Sequence, residues 1–152
     1  MRKSIISSSL QQTKNIAKAL AKTLLETQPA KGAQVLALAG ELGSGKTTFT
    51  QGFAQGLGVK ERVLSPTFIL MRCYKLHTVH YKLFYHIDCY RLDNPAKELL
   101  HLGFKNILAD PHAIVVVEWA DRIKKILPRD SIWIHFKTID KIQRELRIVS
   151  VG

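Results

Sequence analysis

Eight consecutive residues read Gly40-Glu41-Leu42-Gly43-Ser44-Gly45-Lys46-Thr47, and they decide the expected fold. They match G-x-x-x-x-G-K-[ST], the pattern of the phosphate-binding loop of nucleoside triphosphatases. Its glycines allow successive backbone N–H groups to turn inward around a phosphate. Lys46 would contact the β- and γ-phosphates, and the Thr47 hydroxyl could bind Mg²⁺. The stretch therefore predicts a site for a nucleoside triphosphate and Mg²⁺.

The residues on either side of this loop have the context that the motif requires. Residues 35–39 form a continuous apolar run, which is typical of a buried parallel strand. Apolar residues then recur at a spacing of four after Lys46, which predicts a helix that ends near Gly58. Gly52 and Gly56 weaken this helix intrinsically, and their spacing predicts a smooth face for close packing. A strand, loop and helix in this order favour a phosphate loop over an incidental glycine-rich turn.

The rest of the chain alternates helical and strand-like patterns. Phe68–Leu76 and Tyr81–Tyr90 predict an antiparallel hairpin, and a helix with Pro95 in its first turn is expected next. A buried strand, a short helix and two alternating strands follow it. We predict one α/β domain over residues 1–152, like that of P-loop nucleoside triphosphatases. A largely parallel central sheet with an antiparallel hairpin would be flanked by helices.

A helix is also predicted near the N-terminus. Ser9 can cap it, with Gln12 as the second half of a capping box. Lys14, Lys18 and Lys22 are expected roughly opposite its apolar stripe. Like charges four residues apart slightly destabilise a helix, so the stripe is either solvated or placed for an anion, and we favour solvation.

Four further residues are candidates for the chemistry. Glu118 follows the buried run 113–117, where nucleotide hydrolases hold Mg²⁺ or position water. Asp88, at the far end of the hairpin's second strand, is the alternative acid, and both could act. Thr67 lies in an S-P-T segment stiffened by proline, which in nucleotide switches can bring a threonine to the γ-phosphate and Mg²⁺, and a plain loop or a helix N-cap explains that segment at least as well. Trp119 could gate the site or belong to the core.

Composition and charge restrict the protein's class. The chain has 152 residues, a net charge of +11 and no apolar run that approaches a membrane span. Residues 1–34 and 120–152 carry net charges of +5 and +4, while residues 35–119 carry only +2. Basic flanks suit nucleic acid or an acidic partner, and simple solubility explains them equally well. Nothing suggests export, so we expect a cytoplasmic protein with reduced cysteines and no zinc site.

Four motifs now occur in a fixed order: G-E-L-G-S-G-K-T-T, S-P-T-F, H-I-D-C-Y-R-L and V-V-E-W. In this order and spacing the chain resembles the TsaE (YjeE) family, from Thr13 to the last strand. Members are small bacterial P-loop ATPases needed to make threonylcarbamoyladenosine in tRNA, next to the anticodon. The resemblance implies ATP and Mg²⁺ as cofactors, and TsaD and TsaB proteins as partners. TsaE is not itself the transferase there, and slow hydrolysis is expected from the isolated chain.

The resemblance also implies roles for individual residues. Lys46 and the backbone from Glu41 to Thr48 would hold the phosphates, and Thr47 and Glu118 would sit at Mg²⁺. Thr67 would belong to a switch-like loop. Asp88 would take part in hydrolysis or in its coupling to a partner. Trp119 would lie close to the nucleotide, and Thr13 close to the adenine. The chain's basic flanks are stronger than expected for the family, and they could contact tRNA.

Two other functions remain open from the sequence. A small-molecule kinase would need an acceptor pocket and usually an arginine-bearing lid, for which 152 residues leave little room. A nucleotide-gated binding module that hydrolyses ATP incidentally would bind its partner differently with ATP and ADP. A GTPase is disfavoured because the sequence lacks an N-K-x-D motif.

Overall fold

A computed structural model describes residues 1–64 and 70–151 of the chain. In these residues seven strands form one sheet. They are β1 (Arg2–Ser7), β2 (Gln34–Gly40), β3 (Met71–Lys75), β4 (Leu83–Asp88), β5 (Ala113–Glu118), β6 (Ile132–Thr138) and β7 (Arg144–Val149). The helices are α1 (Leu10–Glu26), α2 (Lys46–Gly56), α3 (Pro95–His101) and α4 (Phe104–Leu108), with a 3₁₀ segment at Ala120–Ile126.

The sheet has a parallel centre and antiparallel margins. Its strand order is β1-β7-β6-β2-β5-β4-β3, and β2, β4, β5 and β6 run parallel. The hairpin of β3 and β4 closes one side, and β7 and β1 extend the other. This confirms the predicted fold class. Since parallel strands end at the same edge, the loop after β2 lies beside the ends of β5 and β4.

Two hydrophobic layers cover the two faces of the sheet's central strands. Leu36 and Leu38 of β2 pack on the side of α1 and α2, while Val35 and Ala37 pack on the side of α3, α4 and the 3₁₀ segment. Strand β5 is buried along its whole length, as its continuous apolar run predicts. In the described part of the chain, no helix has both the length and the apolar character needed to cross a membrane.

The sequence patterns did not predict β1 or α4. Strand β1 reads R-K-S-I-I-S, and its backbone pairs antiparallel with β7 in a register that joins Arg2 to Val149. A polar strand of this kind depends on the partner's hydrogen bonds, which local periodicity does not reveal. The Ser9 cap is confirmed, since the Gln12 backbone N–H donates to Ser9 Oγ at 3.0 Å. The Gln12 side chain accepts from Ser8 rather than from Ser9.

Helices α1 and α2 pack in close contact through glycine. A Cβ atom added at Gly52 would lie 2.5 Å from the Lys14 Cα, and one at Gly56 would lie 2.9 Å from the Lys18 Cα. The predicted smooth face is therefore confirmed. The prediction for the lysine stripe holds for Lys22, which is exposed, and is wrong for Lys14 and Lys18, which are half-buried and have their backbone at this contact.

Replacing Gly52 with alanine should destabilise the fold by about 1–3 kcal/mol, the usual cost of overpacking. Alanine normally favours a helix over glycine, but here its Cβ would meet α1 backbone at 2.5 Å. Urea unfolding would measure the change, with Gln55→Ala on the exposed face of α2 as the control. Equal or greater stability of Gly52→Ala would contradict the close helix contact.

Candidate nucleotide-binding site

The loop between β2 and α2 has the backbone of a phosphate cradle. Gly45 precedes the first residue of α2 and has a φ of 108°, which L-amino acids with a side chain rarely adopt. Gly40 has a φ of 154°, and a Cβ atom there would lie 2.6 Å from the Phe136 carbonyl oxygen. These two glycines let the chain turn tightly into the helix, whose N-terminal N–H groups suit an anion.

Lys46 is held inside the loop by neutral groups. Its Nζ donates to the Gly40 carbonyl oxygen at 2.6 Å and to the Glu41 carbonyl oxygen at 2.7 Å. It also lies 4.1 Å from the centre of the Trp119 ring, within cation–π range. Burial lowers the pKa of Lys46, and the Glu118 carboxylate opposes that shift. The carbonyls orient the ammonium without neutralising it, so its charge is left for an anionic ligand.

Glu118 is the centre of a buried hydrogen-bond network. Thr47 Oγ1 donates to Glu118 Oε1 at 2.8 Å, and Thr50 Oγ1 lies 3.5 Å from Oε2. His86 Nε2 is 2.5 Å from the same Oε2. Since an ionised carboxylate only accepts hydrogen bonds, Nε2 is the donor in that state. The carboxylate is 2 % exposed, so these partners offset much of the cost of its burial.

His86 is a site residue that the sequence reasoning missed. It is fully buried on β4, two residues before Asp88, and its Nδ1 has no partner among the described residues. The period of two along this strand places His86 on the same face as Asp88, and this pattern could have identified His86 as a candidate site residue. A histidine within a strand gives no sequence motif, however, and its partner Glu118 lies on a different strand.

Most of the predicted site residues line one cavity of about 430 Å³. Ten of them line it: Thr13, Leu42, Gly43, Gly45, Lys46, Thr47, Thr48, Asp88, Glu118 and Trp119. Glu41 and Ser44 do not line it, although Ser44 Oγ lies 3.4 Å from Lys46 Nζ. Thr67 lies outside the described residues. The volume is within the range of small-molecule sites.

Three of these lining residues, Asp88, Trp119 and Thr13, have contacts that hold their side chains in place. Asp88 pairs in register with Glu118, and its Oδ1 accepts from the Tyr90 backbone N–H at 3.0 Å. Trp119 has a φ of 58°, unusual for a bulky residue, and its ring lies 4.8 Å from that of Tyr90. Thr13 is buried on α1, with its hydroxyl 2.7 Å from that of Ser7.

Three basic side chains at the cavity were not assigned to it from sequence. Arg91 follows β4, Lys141 comes from the β6–β7 connection, and Arg144 is the first residue of β7. Arg144 Nη2 reaches the Gly43 carbonyl oxygen at 3.4 Å. The sequence shows the basic cluster around this connection but not that the sheet brings it to the loop. These cations raise the positive potential of the cavity.

The chemistry of the donors at this edge fits Mg²⁺. A hydroxyl and a carboxylate, from Thr47 and Glu118, present oxygen ligands beside the phosphate loop. Among the described residues, no group of three or more His, Cys, Asp or Glu side chains could hold a metal ion alone. Mg²⁺ usually keeps several waters and takes its remaining ligands from substrate phosphates, so two protein oxygens suffice.

Comparison with known proteins agrees with this geometry. The family model for "Threonylcarbamoyl adenosine biosynthesis protein TsaE" matches residues 7–146. The chain belongs to the TsaE family. The tRNA threonylcarbamoyladenosine biosynthesis protein TsaE of Bacillus subtilis is 37% identical over 93% of this chain and 82% of its own length. The Rickettsia bellii TsaE is 36% identical over 95% of this chain and 93% of its own.

A solved TsaE-like structure supports the same fold. The crystal structure of Bacillus subtilis YdiB superposes on this chain with a TM-score of 0.74 at 32% sequence identity. The match covers 100% of this chain and 87% of YdiB. The TsaE family match spans β2, the phosphate loop and β5, and thus includes Lys46, Thr47 and Glu118. Membership in the family places this chain among tRNA-modification proteins.

Proposed function

We propose that this chain is a Mg²⁺-dependent ATPase that serves threonylcarbamoyladenosine formation in tRNA. The observation that carries the proposal is the convergence of Lys46, Thr47 and Glu118 on one cavity at the N-terminus of α2. An ammonium held by neutral carbonyl oxygens, a hydroxyl and a buried carboxylate beside a glycine loop are the groups that phosphoryl transfer needs.

Each protein group has a defined part in the proposed hydrolysis. Backbone N–H groups of the loop and the Lys46 ammonium would bind the phosphates and stabilise the charge that develops on the γ-phosphoryl group. Bound Mg²⁺ would supply electrostatic neutralisation of the β- and γ-phosphate oxygens, with Thr47 and Glu118 holding it. Asp88 or Glu118 would orient the attacking water. His86 and Thr47 would keep the Glu118 carboxylate in one orientation.

ATP is the favoured nucleotide, because the chain lacks the N-K-x-D guanine motif. Thr13 would lie near the adenine, and Trp119 and Tyr90 would cover the site. By analogy with the family, we propose that the cycle acts on the TsaD and TsaB proteins in the cytoplasm. The isolated chain should therefore turn over slowly and accelerate with these partners.

Depleting this protein in its own cells should lower threonylcarbamoyladenosine in total tRNA, measured by nucleoside mass spectrometry. Wild-type protein and the exposed-lysine control Lys105→Ala should restore the modification, while Lys46→Ala should not. Unchanged modification after depletion would remove the pathway assignment. Full rescue by Lys46→Ala would leave the protein in the pathway and remove the nucleotide cycle.

A further inference from the structure

Strands β6, β7 and β1 present one sheet face that the described helices leave open. Their other face is covered, since Ile134, Phe136 and Leu146 are buried in the core beside α1. Alternation then directs the odd-numbered residues of β6 and β7 to the opposite side. Arg147 is exposed there, and Trp133 and His135 are half-buried. An antiparallel sheet with one solvated face is ordinary, but an aromatic and basic one is not.

Two aromatic rings stack against each other on this open face. Trp133 and His135 have ring centres 5.9 Å apart, and their planes differ by 15°. The Lys124 Nζ lies 5.8 Å from the centre of the Trp133 ring. These residues border a groove of about 700 Å³ together with Val149 and Asp121. A cation and two nearly parallel aromatic rings therefore meet in one open groove.

The charges around the rings are mainly positive. His135 pairs in register with Arg147, and Arg2 pairs with Val149, which lines the groove. Lys137 is the next residue of β6 on this face, and it lies opposite Glu145. Burial, aided by Arg147 and Lys124, lowers the pKa of His135, so the imidazole is neutral at neutral pH. The rings offer uncharged π-faces, and the cations surround them.

Few acidic side chains of the described residues lie on or beside this face. Glu145 Oε1 accepts from Ser4 Oγ at 3.3 Å and lies opposite Lys137. Asp121 and Glu41 line the groove together with Lys124, which lies on the same 3₁₀ segment as Asp121. The groove therefore carries charges of both signs, and Arg147, Lys137 and Arg2 lie on the sheet face beside it, where they would contact phosphates.

We propose that the open face of β6, β7 and β1 binds an unpaired segment of RNA. One base would extend the stack formed by Trp133 and His135, and the flanking phosphates would contact Arg147, Lys124 and Arg2. Single-stranded nucleic acids bind to other proteins through this same combination of aromatic platforms and positive grooves. The choice of RNA rests on the family's role in tRNA modification. The stacked rings of Trp133 and His135 are observed independently of the proposed ATPase activity.

Other anionic partners fit this face less well. A lipid surface would require an exposed aliphatic patch, but the central row of the open face carries Arg147 between His135 and Ser4. An acidic peptide would use the cations but gain little from paired ring faces. A base with its phosphate uses both features at once.

The first test measures the affinity of the full chain for a fluorescein-labelled single-stranded RNA of about 15 nucleotides by fluorescence anisotropy. Arg147→Glu should weaken binding at least tenfold, through loss of a phosphate contact and added repulsion. It should also lower the magnitude of the salt slope by about one. The matched control is Arg72→Glu on β3, an exposed arginine at the opposite edge of the sheet. Equal weakening by both variants would overturn the proposal, because it would indicate a general charge effect.

The second test separates stacking from charge. Trp133→Leu should weaken RNA binding roughly tenfold, whereas Trp133→Phe, which keeps a ring, should stay within about threefold of wild type. Both variants keep an apolar side chain where Trp133 packs against the core. An unchanged affinity for Trp133→Leu, in protein that melts like Trp133→Phe, would overturn the stacking platform.

Competitors then decide the class of ligand. Unlabelled RNA should displace the probe, while poly-glutamate at equal charge and vesicles containing phosphatidylserine should not. Displacement by poly-glutamate as effective as by RNA would overturn the proposal in favour of an acidic protein. Equally effective displacement by the vesicles would overturn it in favour of a membrane surface. Arg147→Glu should hydrolyse ATP at the wild-type rate, so loss of RNA binding and loss of the ATPase are distinguishable.

Discussion

Replacing Lys46 with alanine should reduce ATP hydrolysis by about 10²–10³-fold, which for a slow ATPase means no measurable turnover. The ammonium is held within the loop by the carbonyl oxygens of Gly40 and Glu41. Alanine removes the charge that would meet the β- and γ-phosphates. Phosphate release at saturating ATP and calorimetric titration of ATP would measure turnover and binding separately, and both should be lost.

The variant should still fold, because the lost contacts are hydrogen bonds to loop carbonyls at the edge of the cavity. Its thermal melting should be compared with that of Lys60→Ala, an exposed lysine beyond α2. Wild-type hydrolysis by a folded Lys46→Ala protein would contradict the assignment of the loop. A melting temperature far below that of Lys60→Ala would instead show that Lys46 stabilises the fold.

Replacing Glu118 with glutamine should reduce hydrolysis by about 10²–10⁴-fold while leaving ATP affinity within a few-fold of wild type. The amide has the size of the carboxylate and can still accept the hydrogen bond from Thr47. It lacks the negative charge needed to hold Mg²⁺ or to take a proton from water. Steady-state kinetics should therefore show a lower kcat with little change in KM.

The matched comparison is Asp88→Asn, which removes the neighbouring charge on β4. Glu118 is buried with three hydrogen-bond partners, whereas Asp88 is half-buried at the rim. We expect Glu118→Gln to cause the larger loss in kcat. A larger loss from Asp88→Asn would reverse the two roles. His86→Gln should lower kcat with little change in KM, because His86 positions Glu118 and does not line the cavity.

The sequence predicts the part of the site that is local. The loop, its strand and its helix occupy a short stretch, and glycine spacing with one lysine fixes their geometry. Glu118 is also predictable, since a carboxylate after a continuous apolar strand has few other uses. The part of the cavity formed by the loop, by α2 and by the end of β5 could therefore be predicted from the sequence.

The unpredicted parts depend on contacts between distant segments. Strand β1 forms because β7 offers it a partner, and its own six residues show no period. His86 reaches Glu118 only because β4 and β5 are neighbours in the sheet. Lys14 and Lys18 lie against α2 because Gly52 and Gly56 remove the side chains that would keep the helices apart. None of these pairings leaves a periodic signal in one segment.

The placement of Trp119 and Trp133 gives the protein two optical reporters. These are its only tryptophans, one beside the Lys46 ammonium and the other on the open sheet face. A cation near an indole affects its emission, so movement of the ammonium towards a phosphate would register at Trp119. Trp133→Phe leaves a fluorophore for the nucleotide, and Trp119→Phe leaves one for the sheet face. Occupancy at either place can then be followed without a label, in the same cuvette and in real time.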